Sequence, residues 1–166
     1  MSTSVEIALF DPTRLWFPVG VSDESVEVVR ERAKEDQPDR QAPASFAWRD
    51  SLLEQISEVL DCCKDQAWDG YDAEPIALVS AESAFEVARS LPAGIQAPTV
   101  VPEPDGDIAF EWRTDDSKLF SLSVTGPTLV YAGRFGGSSK LYGEERFFGV
   151  IPRAILEILT RYFPMD

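Results

Sequence analysis

The hydrophobic period of this chain changes after Pro98, and that change constrains the fold more than any other feature. From about residue 46 to residue 91, apolar residues recur every three or four positions, as in amphipathic helices. After Pro98 the period becomes two, which indicates half-buried strands. The alternating apolar positions are Ile108, Phe110, Trp112, Phe120, Leu122, Val124, Leu129 and Tyr131. Helices before and after a run of strands predict an α+β fold, with an antiparallel β-meander of three to five strands packed against two to three helices.

Turn residues and prolines divide the chain into elements. A second helix is predicted from near Ser80 to near Leu91, because Pro92 cannot continue it. Four pairs of residues mark turns: Asp105-Gly106, Asp115-Asp116, Gly126-Pro127 and Gly136-Gly137. A further strand is expected at 140–148, and Pro152 suits the first turn of a last helix.

The first part of the chain differs in character from the remainder. We predict an N-terminal arm, short helix and linker over 1–44 and the α+β domain over 45–166. An edge strand and an apolar arm are expected over 1–19, and Ser22 is expected to cap the short helix. Residues 35–44 are polar and contain proline, which is typical of a linker.

Acidic residues recur at helical spacing in the first long helix, which is predicted over about 46–66 with Ser45 as its cap. At about 100° per residue, five carboxylates fall within an arc of roughly 80°. They are Asp50, Glu54, Glu58, Asp61 and Asp65. The apolar residues fall on the opposite side: Trp48, Leu52, Leu53, Ile56, Val59, Leu60 and Cys63. The helix is therefore expected to have one buried face and one anionic face, and the five carboxylates are candidate binding residues.

Composition limits the functions that the chain can perform. The net charge is −14, from 29 acidic and 15 basic residues, which disfavours direct binding to nucleic acid or to anionic membranes and suits a basic partner. The chain has no histidine, so Ser-His-Asp and Cys-His mechanisms are excluded in their usual forms. Its two cysteines, Cys62 and Cys63, are adjacent and indicate neither a disulfide framework nor a zinc site. No cofactor or metal is expected. Because no signal peptide or membrane-spanning stretch is recognisable, the cytoplasm is the expected location.

Three fragments of the chain carry a resemblance. They are Trp68-Asp69-Gly70-Tyr71 with Ala73 and Pro75, then Pro104-Asp105-Gly106 leading to Phe110-Glu111-Trp112, then Tyr131-Ala132-Gly133. With its WDGY-x-A-x-P motif and its PDG-x-I-x-F-E-W strand, the chain resembles a family of small uncharacterised bacterial proteins over about residues 65–150. The resemblance implies a recurring domain and no activity. Both motifs suit scaffold roles, and Asp69 and Asp72 of the first turn are kept as further candidate binding residues.

The favoured functional hypothesis places the anionic helix face on a partner. Carboxylates four residues apart repeat every ~6 Å along a helix, which is comparable with the spacing of phosphates along a nucleic-acid strand. The chain is therefore predicted to be an acidic protein-binding module that neutralises a nucleic-acid-handling protein. An inhibitor, an antitoxin or an immunity-type protein belongs to this class, and it is expected to be similar to an anti-CRISPR protein or to a DNA mimic.

Two other hypotheses stay open. One is a metal-dependent hydrolase, whose carboxylates are Asp69, Asp72 and Glu74 or Asp105, Asp107 and Glu111. The other is a structural subunit of a larger assembly. Its interface is expected to use the open face of the sheet and the aromatic residues of the N-terminal arm, Phe10, Trp16 and Phe17. The sequence leaves the identity of the partner and the oligomeric state undetermined.

Overall fold

Helices pack against one face of a five-stranded antiparallel sheet. The computed structural model describes residues 27–32, 47–114, 117–137 and 139–165. The helical segments in this part of the chain are α1 (27–32), α2 (Ala47–Cys62), α3 (Leu78–Ser90) and α4 (Arg153–Tyr162). The strands are β1 (Thr99–Pro102), β2 (Ile108–Arg113), β3 (Lys118–Thr125), β4 (Thr128–Phe135) and β5 (Lys140–Arg146). The predicted α+β fold with an antiparallel meander is confirmed.

The strands follow one another across the sheet in chain order, from β1 at one edge to β5 at the other. Each strand pairs with the next in antiparallel register, so that Phe110 lies opposite Val100 on one side and Leu122 on the other. Leu122 in turn lies opposite Tyr131. Because side chains alternate between the two faces of a strand, this register brings the alternating apolar residues onto one face.

The core forms between that face and the helices. All eight alternating apolar residues that define the period of two are buried. The indole N–H of Trp112 donates to the Gln96 carbonyl at 2.9 Å, which satisfies the one polar atom of this buried side chain. Phe163, the residue directly after α4, reaches the same cluster, with its ring centroid 6.4 Å from that of Phe120. The predicted meander and the predicted inward positions are therefore confirmed, and the last strand ends at Arg146, two residues before its predicted end.

The helices agree with their predicted positions in all but one boundary. Cys63 is buried in the core, as predicted, whereas Cys62 is exposed. However, α2 ends about one turn earlier than predicted. The Ala67 N–H donates to the Ala73 carbonyl at 2.7 Å, and the Cys63 carbonyl accepts from the Ile76 N–H at 3.1 Å. Backbone groups that would continue the helix thus bond to a later segment, so Asp65 lies in a turn.

Several predictions fall on residues outside the described ranges. These are the arm over 1–19, the caps at Ser22 and Ser45, the linker over 35–44 and the turn at Asp115-Asp116. The predicted short N-terminal helix is described only as α1, and the division of the chain at residue 44 stays a prediction. Within the described ranges, no helix has the length and apolar character needed to cross a membrane.

Candidate protein-binding surface

Four of the five predicted carboxylates lie exposed along one side of α2. They are Asp50, Glu54, Glu58 and Asp61, and they are called the acidic row below. From its first to its last residue the row spans roughly 16 Å, at 1.5 Å per residue. The opposite side of α2 is anchored in the core by Leu52, Ile56 and Leu60, which are fully buried. Because this packing fixes the rotation of the helix, the row is held facing outwards.

An arginine of α1 already occupies one end of the acidic row. The Arg30 guanidinium lies 2.5 Å from a carboxylate oxygen of Asp61 and 3.7 Å from one of Glu27. The same side chain donates to the Ser57 carbonyl of α2 at 2.7 Å, and it is only 16% exposed. The end of the row therefore has the geometry to bind a guanidinium through a carboxylate and a backbone carbonyl together.

A second arginine of α1 contacts the neighbouring helix. Arg32 donates to a carboxylate oxygen of Glu82 in α3 at 3.1 Å, and both side chains are largely exposed. Next to Arg30, Val29 of α1 is buried in the core. Since exposed ion pairs contribute little to stability, the burial of Val29 and the contacts of Arg30 hold α1 more than Arg32 does.

The first residue of the acidic row lies next to a partly buried cation. The Arg49 guanidinium donates to the Leu91 carbonyl at 2.5 Å, which joins the start of α2 to the end of α3. Burial lowers the pKa of Arg49, and the neighbouring Asp50 carboxylate acts in the opposite direction. Asp50 therefore lies beside a compensating positive charge.

The centre of the acidic row differs from its two ends in its contacts with cations. Glu54 and Glu58 are exposed, and no cationic side chain within the described ranges forms an ion pair with either. Like charges four residues apart on a helix destabilise it by a few tenths of a kcal/mol. A cationic partner would remove this repulsion. The centre of the row is therefore its most available part for a second protein.

The remaining predicted binding residues lie beyond α2, in the turn that follows it. Asp65 and Asp72 are exposed there, and Tyr71, which precedes Asp72, is 84% exposed. Asp69 instead organises the turn, because its Oδ1 accepts from the Tyr71 N–H at 2.9 Å and from the Ala73 N–H at 3.3 Å. Asp65 and Asp72 thus extend the exposed acidic surface beyond the helix, whereas one oxygen of Asp69 is already used within the turn.

Two of the three fragments that carry the family resemblance, those with the WDGY and PDG motifs, lie in contiguous turns that contact each other. The Glu74 N–H donates to the Pro104 carbonyl and the Ala77 N–H to the Gly106 carbonyl, both at 2.8 Å. The indole N–H of Trp68 donates to the Glu74 carbonyl at 2.9 Å. These are backbone-holding contacts, which agrees with the scaffold role expected for both motifs.

The carboxylates of the hydrolase hypothesis are not arranged to hold a metal ion within the described ranges. Both oxygens of the buried Asp107 accept hydrogen bonds at 2.6 Å, one from the Ser80 hydroxyl and one from the Thr125 hydroxyl. Asp107 therefore joins α3 to the end of β3. Within the described ranges, no group of three or more Cys, Asp or Glu side chains is arranged to hold a metal ion.

A carboxyl group near the turn between β1 and β2 has an altered pKa. Burial raises the pKa of Glu103, and a hydrogen bond with the Ser123 side chain acts against this shift. Three nearby carboxylates raise it further: Asp105, Asp107 and Glu111. Such a shift accompanies crowding of like charges at the edge of the sheet.

Comparisons with protein-family models, with curated proteins and with solved structures gave no match to this chain. The resemblance to small bacterial proteins therefore stays a prediction. The assignment of the site depends on the geometry and charge of the described residues.

Two features of the surface have no clear signal in the sequence. Arg30 contacts α2 at a separation of 27 residues from Ser57, and nothing local to α1 identifies that partner. Tyr142 lies exposed in the middle of β5, although the period of two that locates strands is weak there. Both features depend on which elements become neighbours in the fold.

Proposed function

We propose that this protein binds a basic protein through the acidic row of α2, and that the partner is a protein that handles nucleic acid. The observation that carries the proposal is the exposed, regularly spaced row of four carboxylates, of which the central pair has no ion-pair partner among the described residues. Bound in this way, the protein would act as an inhibitor or a neutraliser, in the manner of an antitoxin, an immunity protein or a DNA mimic.

The spacing of the row supports a partner that ordinarily binds phosphates. Glu54 lies one helical turn after Asp50, and Glu58 one turn after Glu54, so that their positions repeat every ~6 Å along the axis. Arginine and lysine side chains in a nucleic-acid groove are spaced to meet successive phosphates. A rigid row of carboxylates can occupy such a groove without the flexibility that a disordered acidic tail would lose on binding.

The contact of Arg30 with α2 supports a partner that binds through arginine side chains. A guanidinium is bound at the end of the row by Asp61 and by the Ser57 carbonyl at 2.5 Å and 2.7 Å. The surface of α2 therefore accommodates the cation that is most frequent in proteins that bind phosphates. An arginine-bearing partner would make similar contacts with Glu54 and Glu58.

The overall charge of the chain supports fast association with such a partner. At −14, the protein attracts basic surfaces over distances of about one Debye length, which is ~10 Å at 0.1 M salt. Binding that depends on these charges weakens steeply as salt increases. The same charge repels nucleic acid, so the proposed role is competition for the partner and not binding to its substrate.

A capture experiment with two matched variants tests the proposal. The immobilised protein is exposed to lysate of its native host at low and high salt, and the eluted proteins are identified by mass spectrometry. The test variant carries Glu54→Lys and Glu58→Lys. The control carries Glu86→Lys and Glu157→Lys, which make the same change in net charge at exposed positions of α3 and α4.

The expected result is that the unmodified chain and the control both capture a basic nucleic-acid-handling protein at low salt. High salt should release this protein, and the test variant should fail to capture it. Loss of binding in both variants would mean that net charge alone is responsible, which contradicts a role for the row. The absence of any salt-sensitive partner would also contradict it.

A further inference from the structure

The backbone of the sheet edge at β1 is protected. Residues of an antiparallel strand alternate between bonding to the neighbouring strand and pointing away from it. The Glu103 N–H donates to the Asp107 carbonyl at 2.9 Å, next to the last residue pair of β1 and β2. This bond fixes the alternation, so Val100 and Pro102 are the β1 residues whose backbone groups point away from β2.

Both outward positions of β1 lack a free N–H. The Val100 N–H donates to the Gln55 side-chain oxygen of α2 at 3.3 Å. Pro102 has no N–H at all. A proline and a covering helix are two of the devices by which proteins prevent an edge strand from pairing with another chain. The β1 edge is therefore closed to a further strand.

Within the described ranges, the opposite edge at β5 has neither device, because β5 contains no proline and its extensive contacts are with β4 alone. The Phe135 N–H donates to the Ser139 carbonyl at 3.1 Å and the Phe147 N–H donates to the Pro127 carbonyl at 2.8 Å, and these bonds fix the alternation at both ends of β5. The odd-numbered residues of β5 therefore bond to β4, and the even-numbered residues point their backbone groups outwards. The outward residues are Lys140, Tyr142, Glu144 and Arg146, and none is a proline.

The side chains of these four residues are also exposed, on the face of the sheet opposite the core. Tyr142 is 85% exposed at the centre of the strand. The register of β5 with β4 runs over seven residues without interruption, so no bulge distorts the edge. A regular seven-residue edge with an exposed aromatic centre is suited to accept another strand.

We propose that the strand it accepts is β5 of a second copy of this chain. The two β5 strands pair antiparallel around a two-fold axis at Tyr142, and the two five-stranded sheets become one continuous sheet. In this register Lys140 of each copy lies opposite Glu144 of the other, on the same face as the two tyrosines. Charge complementarity therefore identifies the occupant, because the edge is complementary to itself.

Neighbouring registers do not have this property. Moving the axis by one residue towards Arg146 places Lys140 opposite Arg146 of the second copy, and moving it by two places the two Glu144 side chains opposite each other. Moving it the other way by one residue places Lys140 opposite Tyr142, and by two it places the two Lys140 side chains opposite each other. Three of these four registers bring like charges directly across the strand pair, which is destabilising, and none of the four forms the two Lys140–Glu144 pairs of the register around Tyr142.

A like-charge contact within one copy gives a further reason for this pairing. Arg134 of β4 lies directly opposite Lys140 of β5, and neither forms an ion pair within the described part of the chain. In the proposed dimer, Glu144 of the second copy lies on the other side of Lys140. Arg134, Lys140 and Glu144 of the second copy then lie side by side across three strands. The negative charge of Glu144 relieves the repulsion between the two cations.

The proposed dimer is independent of the proposed function. The acidic row belongs to α2, which packs beside β1, at the edge of the sheet furthest from β5. Pairing through β5 would leave both acidic rows exposed at the two ends of the ten-stranded sheet. Failure of the dimer would therefore leave the acidic row unaffected, and the reverse is also true.

Charge exchange across the strand pair tests the register. Sedimentation velocity over a wide range of concentrations is expected to give a dimer for the unmodified chain. Lys140→Glu and Glu144→Lys each place like charges at two symmetric contacts, and each should raise the dissociation constant by roughly ten- to a hundred-fold. An equimolar mixture of the two variants restores opposite charges at both contacts and should dimerise, as should the chain with both changes.

A backbone variant tests the strand pairing itself. Tyr142→Pro removes one outward N–H and no bond to β4, so it should abolish the dimer while circular dichroism and the unfolding midpoint of the monomer change little. Tyr142→Thr keeps the N–H and should retain more of the dimer. The proposal is overturned if the unmodified chain stays monomeric at the highest concentration, or if the mixed charge variants associate no better than each variant alone.

Discussion

Replacement of Gly106 by alanine tests the close approach of the two turns that carry the WDGY and PDG motifs. Gly106 has φ +85°, and a Cβ atom there would lie 2.7 Å from the Pro75 carbonyl oxygen, which is a backbone atom. Gly70 provides the matched control, because it has the same φ and its Cβ would have nothing within 4 Å. Both substitutions hold alanine in the left-handed region, at a cost of about 1–2 kcal/mol.

Only the change at Gly106 also forces the turns apart. Relief of the contact from 2.7 Å to the ordinary 3.4 Å needs a displacement of 0.7 Å. The same displacement stretches the two 2.8 Å hydrogen bonds that Glu74 and Ala77 donate across the turns. Each such bond contributes about 1 kcal/mol. Gly106→Ala should therefore lower the free energy of unfolding by about 2–4 kcal/mol, against about 1–2 kcal/mol for Gly70→Ala.

Urea denaturation followed by tryptophan fluorescence measures both variants against the unmodified chain. For a domain of this size each kcal/mol lowers the melting temperature by about 2–4 °C, so a thermal scan gives an independent measure. Equal destabilisation by the two variants, to within about 0.5 kcal/mol, would show that the turns do not approach each other as described.

Two further predictions concern pKa values. Because the pKa of Glu103 is raised above its ordinary 4.5, the stability that its protonated form contributes is complete below that value and is lost as pH rises through the folded-state pKa. The unmodified chain should therefore lose stability from this group as pH rises from acidic to neutral, whereas Glu103→Gln should not. The unfolding free energy of Glu103→Gln, relative to that of the unmodified chain, should rise over this range, and a difference that does not change with pH would contradict this. Burial raises the pKa of Cys63 to about 12, so iodoacetamide should label Cys62 alone in the native protein and both thiols in guanidinium, as measured by mass spectrometry.

The sheet and its inward face could be predicted because their signal is local. A strand alternates its side chains between two faces, so the apolar residues at Phe110, Leu122 and Tyr131 identify the buried face before any strand pairing is known. The same reasoning identified Leu52 and Ile56 as the buried side of α2. In each case the spacing of apolar residues in the sequence matches the period of the backbone in that element.

The candidate site was predicted in part. The exposure of Glu54 and Glu58 follows from helical spacing alone. The structure changed the interpretation of three other residues. Asp65 lies beyond the helix, one oxygen of Asp69 is bound within its own turn, and Asp61 is paired with Arg30. Each of these outcomes depends on a contact that helical periodicity does not describe.

The sequence by itself determined the type of each main element, the face that each one buries, and the acidic character of α2. Only the tertiary structure decided where α2 ends, which cation reaches Asp61 and which edge of the sheet the described elements leave uncovered. The physical reason is the range of the interactions. Periodicity reports the backbone repeat within one element, whereas the bonds from Ile76 to Cys63, from Arg30 to Asp61 and from Val100 to Gln55 join residues that are distant in sequence.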